Sequence, residues 1–184
     1  MMGHVLNLLT QFIEECGGPQ AVEAAYARAG LQRREYRFET AYPEEEFSKL
    51  LLAAIETLGA TSEQAEEGFA RFFMRVSPEI FPAMFRQAGN ARSLLERIPT
   101  LHRSIPAAAS RSEFIDKLKI HASHPHELVY SYRSPHGLCR FLRRSCELVL
   151  EHYGEQGEVR ELECAKHGAP ACLVEIHFGP PRTP

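Results

Sequence analysis

The spacing of apolar residues changes just past the middle of the chain, and this change limits the fold more than any other feature. In about the first hundred residues, apolar side chains recur every three or four positions, which predicts helices with one buried face. Residues 172–178 instead alternate apolar and other side chains, which predicts a strand with one buried face. The apolar members of this alternating set are Cys172, Val174, Ile176 and Phe178.

Glycine, proline and capping residues divide the first part of the chain into separate helices, because such residues end helices or occupy their first turn. Pro99 falls inside the last of these helices, so we expect it to kink that helix or to end it early. The expected boundaries are Gly17-Gly18-Pro19 after the first helix, Gly30 after the second, Pro43 and Gly59 around the third, Thr61 or Ser62 before the fourth, Ser77-Pro78-Glu79 before the fifth, and Asn90 before the sixth.

The second part of the chain alternates between strands and one helix. Residues 126–132, 159–164 and 172–178 are predicted strands, and we expect the last two to pair antiparallel. A long helix, Gly137–Tyr153, separates the first strand from the second. This order indicates an α+β fold, with an N-terminal helical subdomain followed by an antiparallel sheet with an embedded long helix. We expect one domain over residues 1–178 and a Pro-rich tail over residues 179–184.

Composition argues against several classes of protein. A hydrophobic content of 44% is typical of a globular chain, and a net charge of −3 lacks the basic excess that nucleic acid or an anionic membrane attracts. The first twelve residues have no basic segment and no long apolar run, so we expect neither a signal peptide nor a membrane span. The five cysteines favour free thiols or metal ligands. We expect a cytoplasmic protein that binds neither nucleic acid nor membrane.

No segment carries a motif typical of catalysis. The sequence has no Gly-rich phosphate-binding loop and no convincing pair of nucleophile and general base. The acidic runs at residues 44–46 and 66–67 are typical of helix starts and solvated faces. We therefore expect a binding module and not an enzyme, with an adaptor domain that binds no ligand as an alternative.

His102 is the most informative of the nine histidines. It follows an apolar helical stripe, from which a neutral imidazole can face an apolar cavity and bind an iron ion. A core histidine that hydrogen-bonds a backbone carbonyl is the alternative interpretation. Residues His121, His124 and His126 cluster in a predicted loop, where solvated side chains are a simpler interpretation than a metal site.

Short motifs along the whole chain, up to about Phe178, follow the order of one known family. They are Met-x-Gly-x-Val-x-Asn-Leu-Leu at residues 1–9, Ala-Tyr-Pro-Glu-Glu-Glu-Phe at 41–47, Gly-Phe-Ala-Arg-Phe-Phe at 68–73, Leu101-His102, and Tyr132, Ser134 and His136 followed by Gly137-Leu138. In this order they resemble the H-NOX family of heme-based gas sensors. That family includes the heme domain of soluble guanylate cyclase and bacterial sensors that regulate kinases and cyclases.

The resemblance implies a role for each matching residue. His102 would be the axial ligand of the iron of heme b, and Tyr132 and Ser134 would donate hydrogen bonds to the heme propionates. Nitric oxide would weaken the bond to His102, and the resulting helix shift would be detected by a partner protein. The family implies a histidine kinase, a cyclase or a chemotaxis protein as the partner, in a bacterial cytoplasm.

Two positions depart from the family pattern. His136 replaces an arginine whose planar fork binds a carboxylate through two hydrogen bonds, so we expect heme affinity that is weaker or dependent on pH. In the loop after His102, Ala109 to Ser112 stand where the family usually has prolines, and the loop is shorter before Phe114. These departures favour an alternative, an H-NOX fold without heme that acts as a zinc and thiol redox sensor or binds another ligand.

The resemblance also places Leu9, Phe73 and Phe141 in the distal wall of the heme pocket. Oxygen-binding members have a tyrosine at the position of Phe141, which donates a hydrogen bond to oxygen. Three apolar side chains offer no such donor, so we expect this chain to bind nitric oxide and carbon monoxide but not oxygen. Simple core packing is a compatible interpretation of the same three residues.

Cys164, His167 and Cys172 lie between and within two predicted strands, and Cys139 lies at the start of the preceding helix. Three thiolates and an imidazole suit tetrahedral zinc. Some bacterial H-NOX proteins have a zinc site of three cysteines and a histidine near this place, and the resemblance extends that site to this chain. Buried cysteines beside a turn histidine are the alternative, and the sequence leaves both interpretations open.

Overall fold

The computed structural model describes residues 1–103, 117–134 and 136–179, with the backbone alone for residues 102 and 103. Six helices and a four-stranded antiparallel sheet lie in these ranges, which confirms the predicted α+β class. The chain divides into two compact units, Met1–Phe69 and Ala70–Pro184. The extent of a single domain over residues 1–178 stays a prediction. No helix in the described ranges combines the length and the hydropathy that a membrane span requires.

The elements follow one another in the order helices, hairpin, helix, hairpin. The helices are α1 (Gly3–Ala29), α2 (Glu44–Leu58), α3 (Ser62–Ile80), α4 (Pro82–Ala88), α5 (Ala91–Arg103) and α6 (Cys139–Tyr153). The strands are β1 (Leu118–His124), β2 (Glu127–Tyr132), β3 (Gly157–Glu163) and β4 (Cys172–Phe178), and they form a sheet in the order β1-β2-β4-β3. A 3-10 turn, Ala165–His167, joins β3 to β4.

Most of the predicted helix boundaries are confirmed. Gly18 interrupts α1 with φ 74° and ψ −179°, so this element is two helices that meet at a bend. Gly30 and Gly59 end α1 and α2 in the left-handed conformation. At the start of α3, the Thr61 hydroxyl accepts the Gln64 backbone N–H at 3.2 Å, and the Gln64 side chain accepts the Thr61 N–H at 2.9 Å.

Two prolines are accommodated where the sequence predicted a break. α3 continues through Pro78 to Ile80, so the helix start expected at Ser77 is wrong, and the next helix begins at Pro82. α5 likewise continues through Pro99 to Arg103 and does not end early. A proline inside a helix removes one backbone donor, and this loss is tolerated where another group satisfies the freed carbonyl.

In the first unit, the first residues of the chain pair with the segment that precedes α2. The Gly3 N–H donates to the Thr40 carbonyl at 2.8 Å, and the Tyr42 N–H donates to the Met1 carbonyl at 2.8 Å. A Cβ at Gly3 would lie 2.1 Å from the Arg37 carbonyl oxygen, so this close approach requires a residue without a side chain. Two of the motifs that carried the family resemblance are therefore in direct contact.

Asn7 of α1 fixes the same segment through both ends of its side-chain amide. Its Nδ2 donates to the Tyr36 carbonyl at 2.8 Å, and its Oδ1 accepts the Tyr36 N–H at 3.0 Å. The two bonds reproduce the pairing of a strand partner, so the Asn7 side chain adds to the backbone bonds that hold this segment to α1.

In the second unit, α5 and α6 pack against the sheet around one cluster of buried residues. Arg92 of α5 donates to the His124 and Pro125 carbonyls at 2.7 and 2.9 Å, which fixes the helix to the turn between β1 and β2. The Tyr130 hydroxyl of β2 donates to the Leu95 carbonyl of α5. The core cluster includes Leu94, Leu95, Leu128, Tyr130, Val149 and Ile176.

Strand β1 is the element that the sequence analysis missed, and it corrects the placement of the histidine cluster. His121 and His124 lie in β1 and His126 lies in the following turn, not together in a loop. In the described part of the chain β1 is an edge strand paired with β2. Leu118 is its one buried residue, so its sequence lacks the apolar alternation that identifies a half-buried strand. All three histidines are exposed, as expected for solvated side chains.

Candidate functional site

The structure places the backbone of His102 in the last turn of α5. The side chain of His102 and the loop at residues 104–116, with Ala109 to Ser112 and Phe114, lie outside the described residues. The role of His102 as an iron ligand therefore stays a prediction. α5 approaches this point with Leu94 and Leu95 almost fully buried in the core.

Tyr132 and Ser134, the two predicted propionate ligands, line a common pocket of about 170 Å³. Tyr132 is the last residue of β2 and lies opposite Cys172 of β4 in the sheet register. Ser134 accepts the His136 backbone N–H through its hydroxyl oxygen at 3.2 Å, which leaves its own hydrogen for donation to a ligand. The remaining lining residues are Gly137, Cys139, Ala165, Lys166 and Cys172.

His136, the third predicted propionate contact, is half-buried beside this pocket. It contributes its backbone N–H to Ser134, and it is not among the described residues that line the pocket. Arg133, the nearest arginine in sequence, follows the end of β2 and is exposed. The charged side chain that does line the pocket is Lys166, from the 3-10 turn between β3 and β4.

The predicted distal residues of the second unit, Phe73 of α3 and Phe141 of α6, are in contact. Their ring centroids lie 5.7 Å apart at an interplanar angle of 73°, an edge-to-face pair of the kind aromatic rings prefer. Both side chains are half-buried, and neither carries a hydrogen-bond donor. Leu9, the third predicted distal residue, lies in α1 of the first unit and is fully buried.

Three of the predicted metal ligands meet in a buried cluster of thiols. The sulfurs of Cys139, Cys164 and Cys172 all lie within 4.8 Å of one another. The Cys139–Cys172 distance is 2.9 Å and the Cys164–Cys172 distance is 4.0 Å, and all five cysteines are free thiols. Two sulfurs bound to one zinc ion lie about 3.8 Å apart. The Cys164–Cys172 distance is close to this value, whereas the Cys139–Cys172 distance is shorter.

His167, the fourth predicted metal ligand, belongs to a second group of donor atoms. Its ring nitrogen lies within 4.8 Å of the Cys164 sulfur and of a Glu161 carboxylate oxygen, and both His167 and Glu161 are exposed. In the described part of the chain, therefore, Cys164 is shared between a buried set of three cysteines and an exposed set that contains the histidine. Sequence reasoning missed Glu161, which lies three residues before Cys164 in β3.

Burial controls the ionisation of the cluster. Desolvation, followed by the neighbouring Cys172 sulfur, raises the pKa of the Cys139 thiol well above its usual range. Desolvation also raises the pKa of Cys164. The Cys139 and Cys164 thiols are therefore neutral at pH 7 without a cation, and a bound divalent ion would supply the charge that favours their thiolate forms.

A protein-family model described as Haem-NO-binding matches residues 2–161 of this chain. No curated protein sequence matches this chain. Among solved structures, an H-NOX protein from S. oneidensis in the Fe(II)NO ligation state is 15% identical, with a TM-score of 0.76 over 97% of this chain and 99% of that chain.

Two further structures have the same fold. An oxygen-binding H-NOX domain related to soluble guanylate cyclases, in its oxygen complex, is 16% identical, with a TM-score of 0.77 over 100% of this chain and 98% of that chain. An Fe(II) unliganded H-NOX mutant from K. algicida is 15% identical, with a TM-score of 0.74 over 97% of each chain.

Proposed function

Because this chain belongs to the haem-NO-binding family, we propose that it is a heme-based nitric oxide sensor domain that signals to a separate partner protein. The observation that carries the proposal is the pocket that Tyr132, the last residue of β2, and Ser134 line together. Hydroxyl groups in a partly shielded pocket are suitable donors to a carboxylate such as a heme propionate.

The residues present fit a heme group. Tyr132 and Ser134 would hold its carboxylates, and His102, at the end of α5, would be its axial ligand. When bound, heme iron supplies a coordination position for a diatomic gas. Phe73 and Phe141, whose rings are in contact, would form an apolar wall on the gas-binding side and exclude water there. Leu9 stays, by the family resemblance, a predicted distal residue.

The apolar wall favours nitric oxide over oxygen. Bound oxygen carries partial negative charge and needs a hydrogen-bond donor, whereas nitric oxide does not. Neither phenyl ring nor the leucine side chain provides such a donor. We therefore infer that the protein responds to nitric oxide, binds carbon monoxide in vitro, and does not form a stable complex with oxygen.

Signal transfer would begin at α5. This helix is fixed to the β1–β2 turn through Arg92 and to the middle of β2 through Leu95, both ahead of Pro99. A change in the position of His102 would therefore reach the sheet through α5, where a kinase, cyclase or chemotaxis protein would detect it. The chain's role in this scheme is binding and not catalysis.

The visible spectrum of the reduced protein tests the proposal. We expect a Soret band that shifts on addition of nitric oxide, and a much weaker band for His102→Ala. The matched control is His121→Ala, which removes an exposed histidine of β1 and should leave the spectrum unchanged. A protein that shows no Soret band even after addition of hemin is not a heme sensor.

A second candidate function, a heme-free zinc and thiol redox sensor, is favoured by the cluster of Cys139, Cys164 and Cys172. Buried sulfurs within 4.8 Å of one another suit zinc, and oxidation of zinc-bound thiolates releases the metal. His167 or Glu161 would supply the fourth ligand, since a donor atom of each lies within 4.8 Å of the Cys164 sulfur.

Metal analysis of protein purified without chelator tests this second candidate. We expect about one zinc ion per chain, lost on treatment with hydrogen peroxide and in Cys164→Ala but retained in Cys16→Ala, which alters an exposed thiol. Comparison of His167→Ala with Glu161→Gln would identify the fourth ligand. Protein that contains no zinc, and takes none up from solution, has no such site.

A further inference from the structure

Lys166 gives the pocket of Tyr132 and Ser134 a positive charge. Among the described residues that line this pocket, Lys166 carries an ammonium group and none carries a carboxylate. The two hydroxyl groups and the ammonium are hydrogen-bond donors, and an ionised carboxylate can accept from all three. The chemistry of the lining is therefore that of a carboxylate site.

The backbone around Lys166 is fixed by hydrogen bonds on both sides. The Cys164 carbonyl accepts the His167 N–H at 2.9 Å and the Ala169 N–H at 3.3 Å, which closes a tight turn. The Ala165 N–H donates to the Cys172 sulfur at 3.3 Å, which ties the turn to the start of β4. A lysine held in this way begins from a defined position, although its side chain is long.

Gly137 allows the lysine stem to cross the loop that contains Ser134. A Cβ at residue 137 would lie 3.2 Å from the Lys166 Cε, and Gly137 has a φ of 60°, which disfavours any other residue. Gly137 therefore leaves room for the Lys166 side chain at the wall of the pocket that Ser134 also lines.

The volume of the pocket is large enough for a propionate group but not for a whole heme. At about 170 Å³ it is close to a cavity of roughly 150 Å³ that holds one benzene molecule. A propionate arm fits this volume, whereas a porphyrin ring does not.

We propose that the Lys166 ammonium binds a heme propionate in the pocket lined by Tyr132 and Ser134. Lys166 would thus supply the positive charge that the family's arginine provides at the position of His136. The proposal rests on the proposed heme-sensor function. It explains how this chain retains a charged carboxylate contact after the change to His136, because the cation is supplied by the β3–β4 turn and not by the end of the Tyr-x-Ser segment.

Titration of heme-free protein with hemin and with hemin dimethyl ester, which has no free carboxylates, tests the proposal. For Lys166→Gln we expect the Kd for hemin to rise about three- to tenfold, because the variant loses one charged hydrogen bond from an exposed lysine. Lys166→Arg should bind hemin as the wild type does. The Kd for the dimethyl ester should be the same for Lys166→Gln and the wild type.

The control is Lys49→Gln, an exposed lysine of α2 that does not line the pocket, and it should leave both affinities unchanged. Equal loss of affinity for hemin and its ester in Lys166→Gln would mean a structural effect and would overturn the proposal. If the wild type binds hemin and Lys166→Gln binds it with the same affinity, the proposal is also overturned. A wild type that binds no hemin at all would instead overturn the proposed function, and this inference with it. Thermal unfolding of each variant establishes that it is folded.

Discussion

The Tyr130 hydroxyl donates to the one carbonyl of α5 that Pro99 leaves without a helical donor. In a regular helix the Leu95 carbonyl accepts the N–H of residue 99, four positions later, but proline has no N–H. The Tyr130 hydroxyl of β2 takes its place. α5 therefore continues to Arg103, and the sheet determines how the chain reaches His102.

Loss of this hydroxyl is expected to destabilise the protein. Tyr130→Phe leaves the Leu95 carbonyl buried without its donor, which should lower the free energy of unfolding by about 1–2 kcal/mol. Urea unfolding followed by circular dichroism measures the change.

A variant of Pro99 provides the control for this interpretation. Pro99→Ala restores the backbone N–H that the Leu95 carbonyl lacks, so Tyr130→Phe should cost less in that background. An equal cost in both backgrounds would show that the hydroxyl does not compensate for Pro99.

Asn7 gives a second prediction, in the first unit. Asn7→Asp keeps the acceptor for the Tyr36 N–H but replaces the donor with a carboxylate oxygen that faces the Tyr36 carbonyl. We expect a loss of about 2 kcal/mol in the free energy of unfolding. Gln11→Glu makes the same chemical change on the exposed side of α1 and should have little effect. Equal stability of the two variants in urea would contradict the assignment.

Cys146 should make the protein less stable at alkaline pH. Burial raises the pKa of this thiol to about 12 from its ordinary value of 9.0. The unfolded chain then loses its proton first, so the stability that the neutral thiol provides is complete below pH 9.0 and falls as the pH rises toward about 12. Between pH 7 and pH 10, the free energy of unfolding of Cys146→Ala should therefore fall by about 1 kcal/mol less than that of the wild type. Parallel pH profiles of unfolding would rule out this contribution.

Phe141 gives a test of ligand selectivity that depends on heme binding. Phe141→Tyr places a hydroxyl beside the Phe73 ring, and we expect it to confer measurable oxygen binding on a protein that otherwise shows none. Visible spectra of the reduced protein in air-equilibrated buffer provide the measurement. Phe38→Tyr, which adds a hydroxyl to an exposed ring, is the control. Stable oxygen binding by the wild type would refute the selectivity argument.

Local signals in the sequence were sufficient for most of the helices and for the last hairpin. Gly30, Gly59 and the cap at Thr61 act over four or five residues, so their effect is visible in the sequence alone. The alternation at residues 172–178 likewise reports burial on one face of β4. These features depend on neighbours in sequence and not on the tertiary fold.

Features that depend on tertiary contacts were not predictable in the same way. The helix start expected at Ser77 failed because α3 accommodates Pro78, and β1 was missed because its side chains are mostly exposed. The contribution of Lys166 was hidden for a similar reason. It lies thirty-two residues after Ser134, and only the fold brings both to one pocket.

The candidate site was predictable to the extent that its residues lie in short motifs. Tyr132 and Ser134 were expected together and line one pocket, and three of the four predicted metal ligands cluster. The position of His167 was not predictable, because the 3-10 turn places it with Glu161 on the exposed side of Cys164.

Cys172 lines the pocket of Tyr132 and Ser134 and also belongs to the cluster of Cys139, Cys164 and Cys172. It lies opposite Tyr132 in the sheet register. Any coupling between two ligands that share such a residue is reciprocal. The factor by which a metal ion changes the affinity for heme must equal the factor by which heme changes the affinity for that metal ion. Measurement of either binding equilibrium with the other ligand present and absent therefore determines both.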